Sequence, residues 1–184
     1  MTKSEIRALI KNLKANISNK QKEIDAKAVT SIIERSLWFK NSTHILTYYS
    51  LPDEISTSLH FNWDKHKSIY LPRVNGDLLE VLPFGETRIG SFKIQEPTND
   101  NIINPQSLEL IIVPGVAFDF NGTRIGRGKG FYDKLLSNTN ALKIGIGYDF
   151  QLLENIPHEP HDILMDAIIT PNHQVILNTK LAWC

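Results

Sequence analysis

The stretch from Leu110 to Asp133 limits the fold of this chain more than any other. An apolar run, residues 110–113, stops at Pro114-Gly115, and a turn pair follows at Asn121-Gly122. Arg124, Arg127 and Lys129 then interleave with Gly126, Gly128 and Gly130, and Phe131-Tyr132-Asp133 opens a helical pattern. So short an apolar run, bounded by turn signals, reads as a buried strand. Glycines admit positive φ and let a backbone approach a ligand closely. Cations, free N–H groups and a helix start then make an anion site. The same residues also suit a plain basic surface turn.

Two familiar loops are excluded. A P-loop requires a glycine, four residues, then Gly-Lys-Ser/Thr. Here Lys129 is followed by Gly130, and Thr123 holds the place of the leading glycine. The dinucleotide fingerprint fails too, because its third glycine comes three residues after the second, whereas Gly130 comes two after Gly128.

Around this stretch the periodicity alternates. Thr2-x-x-Glu5 suits a capping box, and Ile6, Leu9, Ile10, Leu13 and Ile17 recur at helical spacing behind it. Lys3, Arg7, Lys11 and Lys14 form a second stripe about a quarter-turn away, which on pattern alone is a solvated face. A second helix is expected over 25–37, with Ala28, Val29, Ile32 and Ile33 inward. Short strands are expected over 44–49, 68–74, 78–84, 108–113, 142–147 and 167–170, and helical turns over 56–63, 130–136 and 150–155. Asn75-Gly76 between two apolar runs reads as a hairpin turn. Strands alternating with helices predict an α/β domain with a largely parallel sheet, whose ligands bind beyond the carboxyl ends of the strands.

With 184 residues and no linker or repeat, a single domain over 1–184 is expected. Lysine plus arginine and aspartate plus glutamate number 20 each, so no global field recruits nucleic acid or a membrane. The one cysteine, Cys184, excludes an internal disulfide and fits a reducing compartment. No apolar run approaches the roughly 20 residues of a membrane span. A soluble cytoplasmic protein is the expectation. His158 and His161 do not make a zinc site, since Pro157 and Pro160 break the helix that such a pair needs.

Several blocks in order carry a resemblance: Val113-Pro114-Gly115-Val116-Ala117-Phe118-Asp119, Arg124 to Asp133, Lys3-Ser4-Glu5-Ile6-Arg7, Leu71-Pro72-Arg73-Val74, Glu96-Pro97, His161-Asp162 and Asp166-Ala167-Ile168-Ile169-Thr170. Together they resemble the 5-formyltetrahydrofolate cyclo-ligase family, also called methenyltetrahydrofolate synthetases. The resemblance implies a Rossmann-like three-layer α/β/α sandwich and an ATP- and magnesium-dependent enzyme acting as a monomer. Its substrate would be 5-formyltetrahydrofolate, with or without a polyglutamate tail.

By the same resemblance, Lys3, Ser4, Glu5, Ile6 and Arg7, with Arg124, Ile125, Gly126, Arg127, Gly128, Lys129, Gly130, Phe131 and Tyr132, contact ATP. Arg127 and Lys129 are the catalytic cations. Tyr49, Glu54 and residues 127–131 contact the folate, and Asp133 and Asp166 hold Mg2+. The family commonly has Tyr-Tyr-Asp where this chain has Phe131-Tyr132-Asp133, so position 131 offers an aromatic face without a hydroxyl. Two rivals stand beside this reading. A sugar-phosphate isomerase would need the anion loop but not Lys3, Arg7 and Asp133. A binding protein without turnover would have no need to fill every charged motif position.

Overall fold

The computed structural model describes residues 1–160, 162–179 and 181; His161 and Cys184 lie outside them. Helix α1 (Lys3–Lys14) opens on the expected capping box: Thr2 Oγ1 accepts from the Glu5 amide, and the Glu5 carboxylate accepts the Thr2 N–H at 2.8 Å. The helix is rolled away from the expected stripe. It buries Ile6, Ile10 and Lys14, while Leu9 and Leu13 stay more than a third exposed. Lys14 is thus not on a solvated face; Lys11 is. Helix α2 (Asn19–Arg35) starts well before the expected residue 25, because Ser18 caps it by accepting the Gln21 N–H at 3.1 Å. Its inner residues are Ala26, Val29, Thr30 and Ile33. Ser36 ends it and caps the short α3 (Leu37–Asn41).

The strands follow in alternation with turns. β1 (His44–Leu46) precedes the hairpin of β2 (Ser68–Asn75) and β3 (Leu78–Pro83), closed at Gly76 with φ +58°. A small ribbon, β4 (Thr87–Ile89) and β5 (Gln95–Pro97), comes next. β6 (Leu110–Pro114) leads into the hairpin of β7 (Ala117–Asp119) and β8 (Arg124–Ile125), then α4 (Phe131–Leu136). β9 (Leu142–Ile146), β10 (Leu152–Leu153), β11 (Ala167–Ile169) and β12 (Gln174–Ile176) complete the order.

The main sheet runs β12-β11-β9-β6-β1-β2-β3, parallel from β11 to β2 and antiparallel at both edges. Alternate side chains serve opposite faces. Ile45, Ile69, Leu110, Ile112, Ile144, Ile146 and Ile169 pack with Val29, Ile33, Trp38 and Phe39 of α2 and α3. Leu46, Tyr70, Ile111, Val113 and Ile168 pack with Phe118 and with Leu135 and Leu136 of α4. A parallel sheet covered on both faces reads as continuous apolar runs, which is why these strands were legible.

From β1 the chain moves one way to β2 and returns on the other side to β6, so the strand order reverses between β1 and β6. Ligands bind in the crevice beyond such a reversal. A second sheet, β10-β7-β8, caps that end. There the expected helix over 150–155 is corrected. Only Asp149–Gln151 is helical, as a 3-10 turn, and Leu152 and Leu153 pair instead with Phe118 and Asp119. Buried Asp119 ties the second sheet together, accepting the N–H groups of Asn121, Thr123 and Ile156 at 2.9–3.1 Å.

Candidate functional site

A cleft of about 620 Å³ lies beyond the carboxyl ends of β1 and β6, within the usual range of small-molecule sites. Its floor begins where Pro114 ends β6. Gly115 must be glycine here: a Cβ would stand 2.4 Å from Cζ of the buried Phe118 ring. Gln151, buried after β9, donates through Nε2 to the carbonyls of Gly115 and Val116 at 2.9 and 2.8 Å. Beyond β8, Gly128 and Gly130 take φ of +97° and +70°, which keeps the basic loop tight.

Cations meet here from two elements. Arg124 is buried, with Nη2 on Asp133 Oδ1 at 2.6 Å and Nη1 on the Pro114 carbonyl at 3.2 Å. Its Nε has no partner among the described residues. From α1, Arg7 donates through Nε to the Gly126 carbonyl at 2.9 Å. Lys3 reaches Asp162 at 2.9 Å and Glu159 at 3.3 Å. Burial disfavours the charge on Lys3, but these carboxylates outweigh it and raise its pKa.

Arg127 crosses to the segment after β1, bonding Glu54 Oε1 and Asp53 Oδ1. Asp53 is shared with the buried Lys14, whose Nζ lies 3.4 Å from Oδ2. Burial depresses the Lys14 pKa, against the pull of Asp53 and Glu54. Glu54 is fixed from both ends: its Oε2 accepts the Leu51 N–H at 2.9 Å, and its carbonyl accepts the Tyr148 hydroxyl at 3.0 Å.

The facing wall is apolar. Pro72, Val74 and Leu79 come from the β2–β3 hairpin, and Phe92 and Ile94 from the turn of the β4–β5 ribbon. Phe92 is over half exposed and sits at φ +57°, ψ +22°, a left-handed conformation that costs a side-chain-bearing residue of order 1–2 kcal/mol. Its ring meets that of Phe131 at 6.0 Å and lies 5.8 Å from Lys129 Nζ. Tyr49 lines the cleft and packs on Phe61 at 4.6 Å.

The cleft therefore gathers Lys3, Arg7, Tyr49, Glu54 and residues 124–133 from distant parts of the chain. Four expected positions are not gathered. Ser4 and Glu5 face solvent, with Glu5 spent on the capping box, and Ile6 is buried against Val116, Ala117 and Ile125. Asp166 stands before β11, at the amino ends of the parallel strands. Its Oδ2 accepts the Lys143 N–H at 2.8 Å and its Oδ1 the Asn178 amide at 2.7 Å. Asp166 is thus not among the residues that line the cleft with Asp133, the residue expected to share a metal with it. Among the described residues no three His, Cys, Asp or Glu side chains gather as a metal cage. Asp133 lines the cleft, paired with Arg124, alongside the carboxylates of Glu54, Glu96, Glu159 and Asp162.

Sequence reasoning missed Phe92, Glu96, Asp53 and Lys14. An aromatic directly after Gly90-Ser91, flanked by polar residues, was the one available signal for Phe92. Glu96 is buried and accepts the Val74 N–H at 3.1 Å, joining the ribbon to the hairpin.

A family model described as the 5-formyltetrahydrofolate cyclo-ligase family matches residues 1–171. The 5-formyltetrahydrofolate cyclo-ligase of Haemophilus influenzae is 30% identical over 181 residues, covering 91% of this chain and 97% of the relative. That of Escherichia coli K12 is 34% identical over 141 residues, 70% of this chain and 78% of the relative. The NMR structure of Aquifex aeolicus 5,10-methenyltetrahydrofolate synthetase superposes with a TM-score of 0.89 at 33% identity, covering 96% of this chain and 93% of its own.

Proposed function

We propose a mechanism from one premise: the chain belongs to the 5-formyltetrahydrofolate cyclo-ligase family and is an enzyme of it. It closes 5-formyltetrahydrofolate to 5,10-methenyltetrahydrofolate, and ATP drives the closure with release of ADP and phosphate. The observation that carries this is the division of the cleft. Lys3, Arg7, Arg124 and Lys129 supply charge for a polyphosphate, while Pro72, Val74, Leu79 and Phe92 offer a slot for a flat ring. Glu54 and Arg127 stand paired as the link between them.

The N5-formyl group is an amide, so its carbon is a poor electrophile and its oxygen a poor leaving group. Transfer of the terminal phosphoryl group to that oxygen removes both difficulties. N10 then attacks the formyl carbon, the bond from that carbon to the phosphate oxygen breaks as the ring closes, and the N10 proton leaves with the phosphate. Phosphoryl transfer asks the protein for alignment and charge neutralisation, with little covalent help. Arg127 offers a planar fork to phosphate oxygens, Lys129 a mobile point charge, and the backbone N–H groups of the glycine loop further donors. Glu54, acceptor-only when ionised, takes the paired N–H donors of the pterin. Asp133 would hold the magnesium, which when bound neutralises phosphate charge. The protein works as a cytoplasmic monomer, on folates with or without a polyglutamate tail.

The test is direct. Purified protein, 5-formyltetrahydrofolate, magnesium and ATP should generate the conjugated methenyl product, followed by absorbance. Silence with fresh substrate would sink the activity, and product formation without ATP would sink the phosphoryl route.

A further inference from the structure

Tyr132 lines the cleft, yet its hydroxyl is buried and has no hydrogen-bond partner among the described residues. An unmade hydrogen bond at a buried donor costs about 1–3 kcal/mol, so this hydroxyl is either a defect or a waiting contact. The ring packs against the buried cluster that includes Tyr70, Val81, Phe118 and Leu135. The Arg124 guanidinium stacks over it at 5.6 Å from the centroid. Burial foremost, and then the charge of Glu54, raise the phenol's pKa and keep it a neutral donor at any working pH.

A pterin presents three groups in a row along one edge: the 2-amino donor, the N3–H donor and the C4 carbonyl acceptor. A carboxylate satisfies two adjacent donors, and the carbonyl beside them then requires a donor from the protein. Resting on the folate reading above, we infer that the Tyr132 hydroxyl, on a residue the resemblance counts among the ATP contacts, donates instead to the pterin C4 carbonyl and, with Glu54, reads the ring's identity. This divides the two unpartnered buried donors of the cleft by chemistry. The charged Nε of Arg124 awaits phosphate, and the neutral phenol awaits a neutral carbonyl.

Tyr132→Phe removes one oxygen and keeps the ring. One neutral hydrogen bond is worth about two- to tenfold in affinity, so the KM and the directly titrated Kd for 5-formyltetrahydrofolate should rise within that range or above it. The KM for ATP should stay within twofold. The melting midpoint should hold or rise, because nothing in the unliganded protein loses a partner. Unchanged folate affinity in the variant, an equal rise in both KM values, or a fall of several degrees in midpoint would each overturn the inference. Wild-type protein that neither binds nor converts the folate would instead overturn the functional reading beneath it.

Discussion

The Arg127 guanidinium is held on a single oxygen of Glu54, with Nη2 at 3.0 Å and Nε at 3.2 Å from Oε1. The contact joins the glycine loop to the segment after β1, two pieces of chain far apart in sequence. Burial opposes the charge on Arg127, but Glu54 and Asp53 prevail and raise its pKa. The pair is also partly exposed, at 47% of the arginine side chain, so water screens much of its worth to folding.

Arg127→Ala should therefore separate stability from turnover. An exposed ion pair contributes about 0–1 kcal/mol, whereas loss of a donor aimed at developing charge costs about 10²–10³ in kcat. Urea unfolding and the methenyl absorbance assay on one preparation check both halves. Arg127→Lys should recover little activity, since an ammonium cannot copy the planar fork.

His60 predicts an acid sensitivity unrelated to the cleft. It is fully buried, stacked on Trp63 at 4.1 Å and bonded through Nδ1 to Thr47 Oγ1 at 2.9 Å. Burial lowers its pKa from 6.5 to about 3, so the fold holds it neutral while the unfolded chain takes up a proton below 6.5. Its stabilising share is whole above pH 6.5 and shrinks as pH falls toward 3. Between pH 7 and 5 the loss is about 2 kcal/mol. His60→Phe keeps a ring against Trp63 and should remove that part of the pH dependence, read from urea midpoints at the two pH values.

Asp133 and Asp166 should part company in a magnesium titration. Asp166→Ala strands the Lys143 N–H, and should cost about 1–3 kcal/mol of stability with the magnesium requirement unchanged. Asp133→Asn should raise that requirement by at least the roughly tenfold typical of lost outer-sphere partners. An Asp166 variant that is stable yet starved of magnesium would refute the structural role.

Gly145→Ala should destabilise the protein. Its Cβ would stand 2.5 Å from Cε1 of Phe118, which is fully buried and has nowhere to retreat. Overpacking of this kind costs about 1–3 kcal/mol. A calorimetric midpoint equal to wild type would show that the ring can shift.

What the sequence disclosed follows physical lines. The parallel strands were legible because burial on two faces leaves unbroken runs of Ile, Leu and Val. The glycine loop was legible because Gly126, Gly128 and Gly130 punctuate cations. The β4–β5 ribbon was not, since Thr87-Arg88-Ile89 and Gln95-Glu96-Pro97 carry no clear alternation. β10 exists only through its pairing with β7, a tertiary fact invisible to local propensity. Lys14 belongs to a basic stripe by spacing, and only the roll of α1 toward Asp53 makes it an interior residue. Asp166 matched a motif, but which end of the sheet it occupies depends on strand direction.

Helix α1 braces three separate loops with side chains from one rod: Lys3 on Asp162, Arg7 on Gly126 and Lys14 on Asp53. Helix ends open before helix middles, so fraying would reach the struts at the two ends of α1, Lys3 and Lys14, before that of Arg7 between them. The segments around Asp162 and Asp53 would loosen while the glycine loop still stood fixed through Gly126.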